Sequence, residues 1–183
     1  QESRGLGDVY KRQIKLCRFE NTEKPVILII GGSTGSRAIN TAIRDLLPEL
    51  LKRYNIIHLC GKGNLDETLK DTDGYAQFEY ANKELADMFA LAALVISRAG
   101  ANAICELLAL RKPNILIPLS AAASRGDQIL NANSFRSSGY SYVLEEEAVT
   151  NTALLEAIDH VFSHKERYVE ACLLYTSPSP RDS

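Results

Sequence analysis

Two apolar runs, Pro25-Val-Ile-Leu-Ile-Ile30 and Leu94-Val-Ile-Ser97, each stop at a glycine-bearing turn and pass straight into a helical pattern. The turns read Gly31-Gly32-Ser33-Thr34-Gly35-Ser36 and Ser97-Arg98-Ala99-Gly100-Ala101. Short continuous apolar runs bounded by turn residues mark strands buried on both faces, which is the habit of a parallel sheet covered by helices. Each turn would then present backbone amides at a helix N-terminus. Two such junctions in one chain point to an anionic ligand, the diphosphate of a nucleotide being the natural one.

The rest of the chain repeats this unit. Ala38, Ile39, Ile43, Leu46, Leu47, Leu50 and Leu51 recur at helical spacing, with Arg44, Asp45, Glu49 and Lys52 between them. Further strands are expected at 55–60, 77–80, 114–118 and, more weakly, 141–144. Helical patterns fill the gaps at 65–71, 84–92, 101–110, 127–137 and 152–162. Strands that alternate with helices through short turns imply right-handed crossovers. The fold class expected is therefore α/β, a doubly wound, Rossmann-like parallel sheet of about six strands. In such sheets ligands sit outside the carboxyl ends of the strands, where both glycine turns fall.

Composition narrows the function classes. The chain has 183 residues, of which 45% are hydrophobic, enough for one ordinary core. A formal net charge of -2 supplies no general field for nucleic acid or an anionic membrane, so no nucleic-acid partner is expected. Cys17, Cys60, Cys105 and Cys172 are far apart, with no paired spacing for zinc or redox chemistry, which fits a reducing compartment. No apolar run approaches the roughly 20 residues a spanning helix needs.

The first turn is neither a Walker A loop, since no Gly-Lys-Ser/Thr follows, nor a GxGxxG fingerprint. The second strand ends at Cys60-Gly61 without the acidic residue that would hold an adenosine ribose, which counts against a nicotinamide cofactor. Glycines 32 and 35 allow close backbone approach, and Ser33 and Thr34 add hydroxyls, but the same turn also serves merely to pack strand on helix. In the second turn, Gly100 precedes the amides of Ala101, Asn102 and Ala103. Glu106, one to two turns into that helix, is placed to accept both hydroxyls of a ribose; its alternative is a solvated helix residue paired with Arg111. A third segment, Ala123-Ser-Arg-Gly-Asp-Gln128, leads into a helix carrying Asp127, Gln128 and Asn131. Fixed amide and carboxylate groups suit sugar hydroxyls. Helix capping by Asp127 explains the same residue type equally well.

Gly31-Gly-Ser-Thr-Gly-Ser-Arg-Ala-Ile-Asn40, Ser97-Arg-Ala-Gly-Ala-Asn-Ala-Ile-Cys-Glu106 and Ile117-Pro-Leu-Ser120, followed by residues 123–132, resemble in order and spacing the C-terminal half of the MurG family. These are the undecaprenyldiphospho-muramoylpentapeptide β-N-acetylglucosaminyltransferases of peptidoglycan synthesis. The resemblance covers nearly all of 14–172. It implies one half of a GT-B fold, the half that binds the donor UDP-N-acetylglucosamine. By motif position Ser33 and its neighbouring amides would meet the UDP phosphates, with Ala101–Ala103 at the nucleotide-facing helix start. Glu106 would hold the ribose, Ala81 would lie beside the uracil, and Asp127 with Gln128 would read the sugar. Some members have Gln-Gln where this chain has Asp-Gln.

The resemblance further implies transfer of N-acetylglucosamine to lipid I with inversion, giving lipid II, without a metal or cofactor in the protein. The general base, the lipid acceptor site and the membrane-associating surface would belong to a separate N-terminal domain. Such an enzyme would be cytoplasmic, peripheral on the inner face of the plasma membrane. This chain would then hold no catalytic residue of its own. The alternatives are a stand-alone donor-binding subunit of a split N-acetylglucosaminyltransferase, or another GT-B enzyme such as a UDP-sugar epimerase.

Residues 1–13 and 173–183 lack any period. They resemble read-through of sequencing adapters, so the expected domain is 14–172 between two non-native tails, native disordered tails being the alternative. His160 and His164 share a helix face but lack a third metal ligand nearby. His58, in an apolar strand, reads as a satisfied core residue. Glu145-Glu-Glu147 reads as a solvated loop before the last helix.

Overall fold

The computed structural model describes residues 7–8, 15–31 and 36–176. Six parallel strands form one sheet: β1 Val26–Ile30, β2 Asn55–Leu59, β3 Tyr75–Phe78, β4 Leu94–Ser97, β5 Asn114–Leu116 and β6 Tyr142–Val143. Their order is β3-β2-β1-β4-β5-β6. This is the doubly wound order, and it reverses direction between β1 and β4, where a crevice opens at the carboxyl ends. The helices are α1 Arg37–Leu50, α2 Leu85–Leu91, α3 Ala101–Ala109, α4 Ala121–Ser124, α5 Asp127–Ser137, α6 Asn151–Ser163 and α7 Lys165–Thr176.

The period-two geometry of a strand sends alternate residues of β1 into two different cores. Ile27 and Ile29 join Ile39, Ile43, Leu50, Leu154 and Ile158 under α1 and α6. Val26 and Leu28 join Met88, Phe89, Ile104, Leu107 and Ala132 under α2, α3 and α5. Both faces of the central strands are thus dry, which is why they read as continuous apolar runs. The register sets Ile29 opposite His58 on one side and Ile96 on the other.

Three elements depart from expectation. The helical pattern at 65–71 closes only a single 3-10 turn, Glu67–Leu69, capped by the Asp66 carboxylate on the Thr68 amide. Of this turn only Leu69 packs on the core, too little apolar surface to hold a longer helix. Strand β3 begins at Tyr75 rather than 77, because Gly74, at φ +85°, turns the chain into register with Ile56. Beyond the expected last helix, α7 runs on through residues 173–176, burying Tyr168 and Cys172 and setting the Tyr175 ring 5.8 Å from that of Tyr140. Only Tyr168 and Cys172 of its apolar residues are buried, so its helical period is faint.

Candidate functional site

Both glycine turns leave the carboxyl end of the sheet on either side of the reversal point. The first follows β1, whose ladder extends by the Gly31 amide donating to Leu59 O at 3.4 Å. Gly32, Ser33, Thr34 and Gly35 lie outside the described residues. Ser36 resumes the chain as N-cap of α1, its Oγ accepting from the Ile39 amide at 3.3 Å.

The second turn is described in full. Ser97 Oγ donates to Arg98 O at 2.9 Å, Ala99 is fully buried, and Gly100 is the N-cap of α3. A helix begins with amides that have no intrahelical acceptor, and no side chain caps α3. Ala101 and Asn102 are exposed and Ala103 half-buried, so the positive end of this helix is open. Gly100 has φ -68°, an ordinary value, and a Cβ added there would meet only Gln128 Nε2, at 3.8 Å. Neither the backbone nor the packing demands glycine at that position.

The Ala99 peptide is gripped from α5. Gln128 Oε1 accepts from the Ala99 amide at 3.2 Å and from the Leu119 amide at 3.0 Å, tying the exits of β4 and β5 together. One turn on, Asn131 Nδ2 donates to Ala99 O at 2.9 Å. The approach to α5 is more structured than a loop: α4 makes one turn, then Arg125 at φ +56° and Gly126 at φ +86° redirect the chain. Gly126, not Asp127, is the N-cap of α5, so the capping role considered for Asp127 is not the one it takes. Asp127 is exposed in the first turn, where a carboxylate favours the helix dipole.

Glu106 is exposed on α3 and forms no ion pair with Arg111 among the described residues. Arg111 instead leaves α3 with φ +55°. Ala81 follows β3 at the same end of the sheet, half-buried against the core beneath α2. The structure thus gathers Gly100, Gln128 and Asn131 around one peptide and sets Ala101, Asn102, Ala103 and Glu106 along one helix. Ala81 follows β3, and Asp127 precedes Gln128 at the start of α5.

Sequence reasoning missed a network beside these turns. Glu146, expected in a solvated loop, lies in a 3-10 turn, Glu146–Ala148, and its Oε1 accepts from Arg98 Nη2 at 2.7 Å and Ser36 Oγ at 3.2 Å. Three consecutive glutamates look like surface, and nothing local marks the middle one. The signal was Arg98 itself, a cation placed between a buried strand and a buried alanine.

His58 is satisfied in the core, as expected. Its Nε2 lies 2.9 Å from Asn40 Oδ1 and its Nδ1 2.6 Å from the Tyr75 hydroxyl. Asn40 Nδ2 donates to Cys60 O, so Asn40 Oδ1 must accept, and His58 carries its proton on Nε2. Tyr75 then donates to Nδ1 while its oxygen accepts from Arg44 Nε. Burial, with Arg44 second, pushes the imidazole down to about 3, and burial pushes the Tyr75 phenol up to about 12. His160 and His164 stack at 4.3 Å, and no group of three metal-ligating side chains exists among the described residues.

Residues 26–172 match the model of the glycosyltransferase family 28 C-terminal domain. The chain belongs to this family. A UDP-N-acetylglucosamine--N-acetylmuramyl-(pentapeptide) pyrophosphoryl-undecaprenol N-acetylglucosamine transferase of Lachnoclostridium phytofermentans is 64% identical over 158 residues, covering 86% of this chain and 44% of the relative. The protein of the same name from Geobacillus thermodenitrificans is 60% identical over 154 residues, 84% of this chain and 43% of the relative. This family 28 chain therefore spans about half the length of the curated relatives it matches. Among solved structures, Acinetobacter baumannii MurG superposes with a TM-score of 0.63 at 22% identity, over 92% of this chain and 47% of that one. The glycotransferase of kitacinnamycin superposes at 0.69 and 18% identity, over 81% and 37%. At those identities the likeness establishes the fold, one Rossmann-like half of a GT-B glycosyltransferase.

Proposed function

We propose that this chain binds UDP-N-acetylglucosamine as the donor half of a transferase that adds the sugar to lipid I. The observation that carries the reading is the open N-terminus of α3 at the sheet's reversal point, with Glu106 on the same helix lacking any protein partner among the described residues. A diphosphate at that helix start meets unpaired amides, and amides that face the leaving UDP stabilise its charge as the glycosidic bond breaks. Glu106 offers two oxygens to the two ribose hydroxyls. The relatives' names supply the sugar and the acceptor. Ser33 with residues 32–35 would complete the phosphate cradle, Ala81 would border the base, and Asp127, Gln128 and Asn131 would border the sugar.

Gln128 has already committed its oxygen to two backbone amides, so its Nε2, which faces Gly100, is the group left to read a sugar oxygen. The acceptor site and the general base belong to the other half of the enzyme, along with the surface that would associate peripherally with the cytoplasmic face of the membrane. No helix among the described residues is long and apolar enough to cross one.

The test is calorimetric titration of UDP-N-acetylglucosamine into this chain, with UDP-glucose and Glu106→Ala as comparisons. Saturable binding that weakens by about tenfold in Glu106→Ala, the loss of one charged hydrogen-bonding group, supports the reading. A folded chain that binds neither nucleotide sugar refutes it.

A further inference from the structure

A cleft of about 470 Å³ opens at the end of the sheet opposite the carboxyl-end crevice, a volume within the roughly 300–1,000 Å³ of small-molecule sites. Its walls are the carboxyl ends of α5 and α6, the residues entering β6 and the start of α7. Arg136, His160, His164 and Arg167 line it, and no carboxylate does among the described residues. The whole chain holds 23 acidic against 21 basic residues, so this excess of one sign is local. Neither guanidinium has an ion pair among the described residues.

Helix electrostatics accounts for part of this cluster. A dipole favours a cation in the last turn, where Arg136 stands in α5 and His160 in α6. Neither is needed as a cap. The Gly139 and Tyr140 amides close α5 on Arg136 O and Phe135 O, and His164 closes α6 by donating its amide and its Nδ1 to His160 O. Arg167 stands in the first turn of α7, where the dipole disfavours a cation. Ser141 supplies an independent mark: it lines the cleft, is 4% exposed, and its Oγ has no hydrogen-bond partner. A buried hydroxyl left unpaired costs stability until something brings it an acceptor.

We propose that this cleft binds a phosphate group. Phosphate oxygens accept, and the two guanidiniums and the Ser141 hydroxyl donate, the guanidinium fork matching a pair of phosphate oxygens. The imidazoles of His160 and His164, stacked at 4.3 Å, and the Tyr142 ring, 5.4 Å from His160, form an ordered aromatic wall beside them. The phosphate arrives either on a soluble molecule or on a lipid headgroup, and the same donors serve both. The site is independent of the donor reading, because it uses the amino end of β6 and none of the residues around α3.

The experiment titrates inorganic phosphate into the isotope-labelled whole chain at constant ionic strength, with chloride as the control, and follows amide chemical shifts. Saturable shifts at Gly139, Ser141 and Tyr142 that chloride does not produce are expected. Affinity should fall by about tenfold in Arg136→Gln and in Arg167→Gln, each having lost one charged donor. Ser141→Ala should weaken binding yet leave the melting temperature unchanged, since the hydroxyl it removes has no partner to lose. Co-sedimentation with phosphatidylcholine vesicles, with and without phosphatidylglycerol, separates the two sources. Capture by phosphatidylglycerol that the double variant Arg136→Gln/Arg167→Gln abolishes assigns a lipid headgroup; free phosphate binding without capture assigns a soluble ligand. Neither shifts nor capture, shifts confined to the start of α3, shifts that chloride reproduces, or folded arginine variants that behave like wild type would each overturn the assignment.

Discussion

His58 should make this domain acid-sensitive in a window set by one side chain. In the folded chain the imidazole is fully buried, neutral, and bonded at both nitrogens, and its pKa is pushed down to about 3. In the unfolded chain it returns to about 6.5. Above pH 6.5 the ring is neutral in both states and costs nothing. As pH falls below 6.5 the unfolded state takes up a proton that the folded state refuses, so stability drops by about 1.4 kcal/mol per pH unit until the folded ring itself protonates near 3. Between pH 7 and pH 5 the accumulated loss is about 2 kcal/mol, a large share of the roughly 5–15 kcal/mol of a typical domain. The assay is urea unfolding of wild type and His58→Gln at pH 7, 6 and 5, read by circular dichroism. His58→Gln should be less stable at pH 7, having lost the relay between Tyr75 and Asn40, but should lose about 2 kcal/mol less than wild type on going to pH 5. Subtracting the two slopes removes every carboxylate common to both proteins. Parallel slopes would refute the argument, because the folded ring would then titrate as it does in the unfolded chain.

Two glycines should respond in opposite ways to alanine. Gly74→Ala places a side chain at φ +85° with its Cβ 3.1 Å from Leu51 Cδ2, so the melting temperature should fall by the equivalent of about 1–2 kcal/mol. Gly100→Ala should cost only about 0.5–1 kcal/mol, since alanine is a poorer N-cap than glycine, yet weaken UDP binding by crowding the α3 amides; equal affinity would count against a ligand at that helix start. Gln128→Met leaves the Ala99 and Leu119 amides without an acceptor and should cost about 1–3 kcal/mol in urea unfolding. Lys112 Nζ donates to Ala90 O and Ala92 O at the end of α2, and Lys112→Met should cost about 1.5–3 kcal/mol, whereas an unchanged midpoint would show those carbonyls to be satisfied by water.

How much of this was legible depended on whether the governing interaction was local. Burial on both faces writes itself as an unbroken apolar run, so β1 and β4 and the turn after β4 were readable to within a residue. The same holds for α1 and α5, whose starts are marked by Ser36 and Gly126. The motif at 97–106 likewise gave the position of the open helix end. What could not be read were roles assigned by distant partners. Glu146 is indistinguishable in sequence from Glu145 and Glu147 until Arg98, 48 residues away, selects it. Gln128 suggested a group that reads a ligand, but the structure first uses its oxygen on protein amides, since no periodicity reveals where a buried amide finds its acceptor. Helix α7 was obscured because two buried positions four residues apart, Tyr168 and Cys172, make too weak a stripe to show against its charges.

The span between Ser36 and Glu146 has a consequence for how the molecule comes into being. The bond closes a separation of 110 residues, and the neighbouring links to α6 from α1 and the turn after it, Asp45 with Asn151 and Arg53 with Asp159, each close 106. A ribosome delivers α1 long before it delivers α6, and until then the core they share over Ile27 and Ile29 is covered by α1 alone. Contacts of such high sequence separation form late, after the loop-closure entropy between them has been overcome. The bond between Ser36 and Glu146 is therefore among the last parts to assemble. A nascent chain that has already delivered Ser36 and Arg98 would still lack the carboxylate that both of them bond, so this corner of the molecule waits for the segment after β6.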